Sequence, residues 1–185
     1  MNYCSACGAR VELRVPDGDN MPRFVCVSCG TIHYQNPRVI VGCIPEHDGK
    51  LLLCRRAIQP RLGFWTFPAG FMENGESLES GAARECWEEA QARVDIGSLV
   101  AVVTVIHAEQ VHVMFRARLA EPGYAAGPES LEVALFAPED IPWKDIAFRS
   151  IDFALRRYLE DRAAGVERLH ITHFEAPAGH PAPSS

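Results

Sequence analysis

The chain has 185 residues, 48% hydrophobic and 23% charged, with a formal net charge of −6, a globular composition with room for one full core or a domain plus a small appendage. The acidic balance argues against a nucleic-acid binder, which needs a basic face, and no apolar run approaches the ~20 residues of a membrane helix. The opening MNYCSACGAR is neither basic nor apolar, so the expected location is cytoplasmic, and its cysteines point to metal rather than disulfides.

Residues 1–35 hold four of the seven cysteines and too few large apolar groups for a core of their own. Cys4-x-x-Cys7 and Cys26-x-x-Cys29 stand 18 residues apart, each pair followed by a glycine, Gly8 or Gly30. CxxC turns let two thiolates converge on one ion, and two such turns complete a tetrahedral Zn²⁺ shell. The glycines relieve the turn where it needs positive φ. A closed four-thiolate site leaves no coordination position open, so this zinc is expected to be structural, with His33 a bystander.

From Arg38 the pattern turns to strands. Val39–Ile44 is a β-branched run, His47-Asp48-Gly49-Lys50 is turn chemistry, and Leu51–Cys54 completes a hairpin. The stretch from Phe64 to Gly75 is read as a loop with a short strand. Ser77 is a candidate N-cap for a helix reaching about Ala90, whose Leu78, Ala82, Cys86 and Ala90 recur at i+4. Leu99–His107 and Val111–Leu119 read as strands, Glu121–Pro128 as a loop, Leu131–Phe136 as a strand and Ile151–Leu159 as a helix. The domain division is 1–35, 36–162 and a tail 163–185, disordered from about Glu175 onward.

The chemistry concentrates between Gly70 and Glu89. On the helix Glu85, Glu88 and Glu89 fall at i, i+3 and i+4, one acidic face with no interleaved lysine to neutralise it. Ala82, Cys86 and Ala90 occupy the other face, so the helix can pack on a sheet and turn its carboxylates to a cleft. Clustered oxygen ligands suit a hard divalent cation that retains waters and shares substrate phosphates. A solvated helix face would account for three glutamates alone; Gly70, Glu76 and Arg84 at fixed spacing tip the reading to a metal site.

The segment resembles the Nudix box: Gly70, five residues, Glu76, seven residues, then Arg84-Glu85-Cys86-Trp87-Glu88-Glu89. It departs from the family at Gln91, where the box has the glycine that ends the helix, and at Ala92, where it has a bulky residue. The resemblance implies an α/β/α sandwich around a mixed sheet, an α+β fold, over Arg38 to Asp161. It implies that Glu85, Glu88, Glu89 and the Gly70 carbonyl hold Mg²⁺ (or Mn²⁺), that Arg84 orients a box glutamate, and that Glu76 supports the site or binds a further ion. A metal-activated water attacks the pyrophosphate, so Cys43, Cys54 and Cys86 are expected in the core. Glu129 is preferred over Glu132 as an additional carboxylate, ligand or base.

A zinc ribbon before a Nudix domain narrows the substrate. NADH pyrophosphatases carry Ser-Gln-Pro-Trp-Pro-Phe-Pro after the box, and this sequence lacks it. Tyr34-Gln35-Asn36-Pro37, Ile58-Gln59-Pro60, Trp65-Thr66-Phe67-Pro68-Ala69-Gly70 and Gly127-Pro128-Glu129-Ser130-Leu131-Glu132 resemble plant plastid Nudix hydrolases, which implies FAD or ADP-ribose as substrate and a homodimer. Phe64, Trp65, Phe67 and Phe71 are the candidate stacking platform, with core packing the competing reading for each. Strand alternation turns one of Arg55 and Arg56 toward the pyrophosphate.

Overall fold

The computed structural model describes residues 1–176, in two compact units, Met1–Pro37 and Arg38–Ser185. The first unit is a three-stranded antiparallel sheet, β1 (Val11–Arg14), β2 (Arg23–Cys26) and β3 (Ile32–His33), in that order. Its only buried residues are Cys4, Val25 and Cys26, too little apolar surface to hold a fold unaided.

The second unit is a mixed sheet between two helices. Its strands are β4 (Arg38–His47), β5 (Lys50–Arg56), β6 (Trp65–Thr66), β7 (Ala69–Phe71), β8 (Val94–Val105), β9 (Gln110–Leu119), β10 (Ser130–Phe136) and β11 (His170–Phe174). The order across the sheet is β10-β5-β4-β9-β8-β11. β4 runs parallel to β9 and β11 parallel to β8, while β8–β9 and β5–β10 are antiparallel. The predicted hairpin turns at Asp48-Gly49, yet β4 and β5 pair only at its base, through Glu46↔Leu51 and His47↔Lys50. Beyond it they part, and β6 on β5 and β7 on β4 fill the gap. That split delivers Gly70 to the middle of the sheet.

Helices α1 (Leu78–Ala90) and α2 (Arg149–Ala164) cover opposite faces. Under α1, Ala82, Cys86 and Ala90 pack on Val41, Cys43, Leu52, Cys54, Val113 and Phe115. Under α2, Ile151, Ala154, Leu155 and Tyr158 pack on Ile44, Leu51, Leu53, Ala101, Val103 and Met114. Successive side chains of a strand point to opposite faces, so β4, β5 and β9, buried on both, read as unbroken apolar runs. The three cysteines expected in the core are there, each at most 1% exposed.

Ser77 caps α1 as predicted, its hydroxyl accepting from the Ser80 N–H at 3.2 Å, a contact that stabilises by about 1 kcal/mol. At the other end Gln91 adopts φ 47°, ψ 32°, the left-handed conformation the box glycine would take, at a cost of roughly 1 kcal/mol. The helix therefore ends where the motif requires, without its usual residue. Residues 121–128 help: the Ala125 and Gly127 N–H groups donate to the Ala90 and Glu89 carbonyls at 2.8 and 3.0 Å.

The elements differ from the sequence reading mainly near their ends. β8 begins at Val94 rather than Leu99, α2 extends from Arg149 to Ala164, and the predicted loop from Phe64 to Gly75 contains two short strands. The segment read as a tail contributes an edge strand, β11, which pairs with β8 from His170↔Ala101 to Phe174↔Val105. Asp161, 2% exposed, anchors it by accepting from Arg116, from the Arg168 N–H and from His170 at 3.0–3.1 Å. The disorder expected from Glu175 falls almost entirely outside the described residues. Among the described helices, none is long and apolar enough to cross a membrane.

Candidate functional site

The N-terminal unit brings Cys4, Cys7, Cys26 and Cys29 together, their sulfurs all within 4.8 Å of one another. Cys4–Cys29 and Cys7–Cys26 stand 3.7 and 3.4 Å apart, close to the ~3.8 Å edge of a tetrahedron with 2.3 Å Zn–S bonds. The donor set fits zinc. Backbone N–H groups of Ala6, Ser28 and Cys29 point at the Cys4 and Cys26 sulfurs at 3.4 Å, and Gly8 and Gly30 take φ 75° and 72° to allow the turns. The Thr31 hydroxyl, first among its causes, pulls the Cys29 thiol down to about 6. His33 is outside the quartet, but its Nε2 lies 3.3 Å from the Cys4 sulfur, the placement of a group that steadies a ligand.

In the second unit, α1 presents the box carboxylates to β7. Glu85 and Glu89 are 8% and 7% exposed, unusual for carboxylates, whereas the Glu88 side chain is 53% exposed. Glu89 Oε2 accepts from the Ala69 N–H at 3.2 Å. Gly70 leaves the space for Glu85: a Cβ there would lie 2.4–2.5 Å from its carboxyl group. That cradle holds two buried carboxylates against the backbone of β7, oxygen donors that fit a hard divalent cation.

Arg84 organises the cluster. Its Nη1 donates to Glu85 at 2.7 Å and Glu88 at 2.8 Å, and its Nη2 to the Phe71 carbonyl at 3.0 Å. Its Nε and Nη2 grip both oxygens of Glu76 at 3.0 and 2.8 Å. Of the two roles expected of Glu76, its contacts are those of the supporting residue. Its oxygens are occupied by Arg84 and the Glu73 N–H, and the Arg84 contact holds its carboxyl down to about 2. Glu76 braces Arg84, which braces Glu85 and Glu88.

Burial pushes Glu89 up to about 8, with the Glu85 and Glu129 charges adding to it while the Ala69 N–H and Arg56 pull the other way. Burial likewise raises Glu85 against the pull of Arg84. Of the two later carboxylates, Glu129 acts on both Glu85 and Glu89, whereas Glu132 faces Arg55 at 3.8 Å. Gly127, unremarked in the sequence, places Glu129: a Cβ there would come 1.8 Å from the Glu88 carbonyl. Only glycine lets this loop lie against the end of α1.

The substrate-contact expectations sort sharply. Arg56 follows Leu52 and Cys54 onto the α1 face and acts on Glu89. Arg55 follows Leu51 and Leu53 the other way, is exposed, and donates to the Gly63 carbonyl at 3.0 Å. Phe67 is corrected to a core residue: it is 0% exposed, packed beneath α2. Trp65 is half-buried and edge-on to Phe136 at 4.9 Å. Phe64 lies beneath the Arg61 guanidinium at 5.1 Å. Phe71, next to Gly70, is the most exposed of the four at 48%, with the Arg38 guanidinium 4.8 Å from its ring centre. The four aromatics share a composition that sequence could not sort; their facing follows from the strand pairing.

Residues 2–35 match the zinc-ribbon family described as Nudix N-terminal, and residues 36–159 match the NUDIX domain family. A NUDIX hydrolase from Nitrosomonas europaea, known from its crystal structure, is 55% identical with a TM-score of 0.92, over 95% of this chain and 100% of that one. The NAD-capped RNA hydrolase NudC of Vibrio atlanticus is 37% identical over 91 residues, 48% of this chain and 31% of that protein. An ADP-ribose pyrophosphatase of Methanocaldococcus jannaschii is 39% identical over 69 residues, 37% and 41% of the two. The chain thus spans less than half the length of these two curated relatives.

Proposed function

Since this chain belongs to the Nudix hydrolase family, we propose that it hydrolyses the pyrophosphate of a nucleoside diphosphate linked to a second group, FAD or ADP-ribose, releasing AMP. The observation that carries the reading is the burial of Glu85 and Glu89 beneath Gly70, with Arg84 fixing the first of them. Mg²⁺ or Mn²⁺ bound by Glu85, Glu88, Glu89 and the Gly70 carbonyl would activate a water and offset charge on the phosphoryl oxygens. Arg84 holds the carboxylates at their separation, and Glu76 holds Arg84. Arg56, on the same face as Glu89, supplies positive charge for the phosphates. Glu129, whose charge is felt by both buried carboxylates, is the candidate to take a proton from the attacking water. The zinc of Cys4, Cys7, Cys26 and Cys29 is structural in this reading.

ADP-ribose is supported by the pyrophosphatase of Methanocaldococcus jannaschii, and FAD by the sequence stretches alone. NAD(H) or an NAD cap is the second reading, favoured by the likeness to NudC in Vibrio atlanticus. All contain an adenosine diphosphate half. The test is Mg²⁺-dependent hydrolysis, read as AMP release from FAD, ADP-ribose and NADH and as 5′-monophosphate RNA from NAD-capped RNA, ranked by kcat/KM. Highest kcat/KM for FAD or ADP-ribose supports the first reading, and a clear win for NADH or capped RNA replaces it with the second. Absence of Mg²⁺-dependent hydrolysis of all four removes both.

A further inference from the structure

The α2-side face of the sheet can be mapped from its register. Phe71 pairs with Ile40, Ile40 with His112, and His112 with Val103, and residues opposite one another on neighbouring strands share a face. Val103 belongs to the core beneath α2, so all four point to that side. Along this row exposure falls from 48% at Phe71, through a half-buried Ile40, to 7% at His112 and 0% at Val103. Helix α2 covers the inner end and leaves β7 and the start of β4 open. The result is a shelf with an aromatic lip at Phe71, an aliphatic floor at Ile40 and an imidazole at the back. Arg38 and Gln110 flank it one step along the strands, Arg38 stacked 4.8 Å over the Phe71 ring. Phe71 and His112 are two strands apart, about 10 Å, a separation a purine resting on Ile40 would span.

His112 has unmet bonding capacity. Its Nε2 contacts Gln110 Oε1 at 3.0 Å, and its Nδ1 has no partner although buried. With Gln110 accepting, Nε2 carries the hydrogen and Nδ1 keeps a lone pair. Burial alone holds the imidazole neutral down to about 4, and a buried acceptor left unpaired is costly. Phe71 joins this shelf to the box: it follows Gly70, and its carbonyl accepts from Arg84.

We infer that this shelf is the subsite for the adenine ring and that His112 is its specificity residue, Nδ1 accepting from the 6-amino group while Phe71 stacks on the base. The assignment rests on the proposed pyrophosphatase reading and deepens it. An adenine amino group would satisfy the orphan nitrogen; the 6-oxo group of hypoxanthine would place a second acceptor against it. A site built around one hydrogen bond discriminates against the analogue that lacks it.

The test compares ADP-ribose with inosine diphosphate ribose in the wild type, His112→Leu and His112→Asn. The wild type should favour adenine by about tenfold or more. His112→Leu should lose that preference through KM with kcat kept, and His112→Asn, which retains an acceptor, should recover part of it. Unchanged discrimination in His112→Leu overturns the assignment. A second measurement needs no variant. The ¹⁵N resonance of wild-type His112 Nδ1 should move on adding AMP and stay with IMP; a resonance indifferent to AMP also overturns it. Absence of any ADP-ribose turnover in the wild type would instead count against the pyrophosphatase reading.

Discussion

Replacing Gly70 by Ala tests the catalytic reading at its tightest point. The added methyl would sit 2.4–2.5 Å from the Glu85 carboxyl atoms, against the 3.4–4 Å of ordinary contact, so the carboxyl must retreat by about 1 Å. It cannot swing away freely, being 8% exposed and held by Arg84 at 2.7 Å. A misplacement of about 1 Å costs roughly a hundredfold in rate. Gly70 lies in a strand without positive φ, so alanine leaves the backbone unstrained, and the crowding of Glu85 should cost about 1–3 kcal/mol of stability. Steady-state AMP release, Mn²⁺ binding by electron paramagnetic resonance and thermal melting would be measured together. The expected outcome is about a hundredfold loss of kcat with weakened Mn²⁺ binding and a melt that stays cooperative but falls by several degrees. Wild-type kcat and Mn²⁺ affinity in Gly70→Ala would refute the claim that Glu85 needs this close approach.

Glu89→Gln should abolish Mg²⁺-dependent turnover while strengthening the fold in alkaline solution without Mg²⁺. The Glu89 carboxyl is raised to about 8, so its stabilising contribution is full below about 4.5 and lost as pH rises through 8. The amide has no such loss, and a few kcal/mol should separate the variants at pH 9 but not at pH 5; parallel melting curves at both pH values would contradict this. His112 runs the other way: burial lowers it to about 4, so its contribution is full above about 6.5 and disappears as pH falls through 4, about 3 kcal/mol in all. Urea titrations at pH 7.5 and 4.5 should show a smaller loss for His112→Asn than for the wild type. Zinc chelation should unfold residues 1–37, whose buried side chains are so few, and leave the second unit's cooperative melt in place. All three tryptophans, Trp65, Trp87 and Trp143, lie in that second unit, so their fluorescence follows it alone, while amide exchange follows the first; amides of 1–37 that stay protected after chelation would be the contrary result.

The features legible in the sequence are those whose chemistry depends on local spacing. Two CxxC pairs must converge if each forms its turn, and the four sulfurs do. Glutamates at i, i+3 and i+4 must share a helix face, and Ser77 must cap the helix that follows it. What escaped the sequence depends on residues far apart in the chain. Glu76 was legible as part of the motif but not as the brace of Arg84, because its oxygens are claimed from eight residues away. Gln91 looked like a defect at the end of α1, yet residues 121–128 supply the missing support by hydrogen bonding.

Phe67 and Phe71 were indistinguishable as neighbours of the box. The split between β4 and β5 buries the first and leaves the second open, because the chain between β6 and β7 crosses from one strand to the other. β11 was hidden for a similar reason: five residues carry too little pattern to announce a strand, and it is the pairing with β8 and the anchor at Asp161 that make one. The sequence alone thus determined which thiolates and which carboxylates gather, since residue type and local spacing decide it. The tertiary structure decided which side chains remain available to a substrate, since exposure is settled by what packs against each face and not by the residue itself.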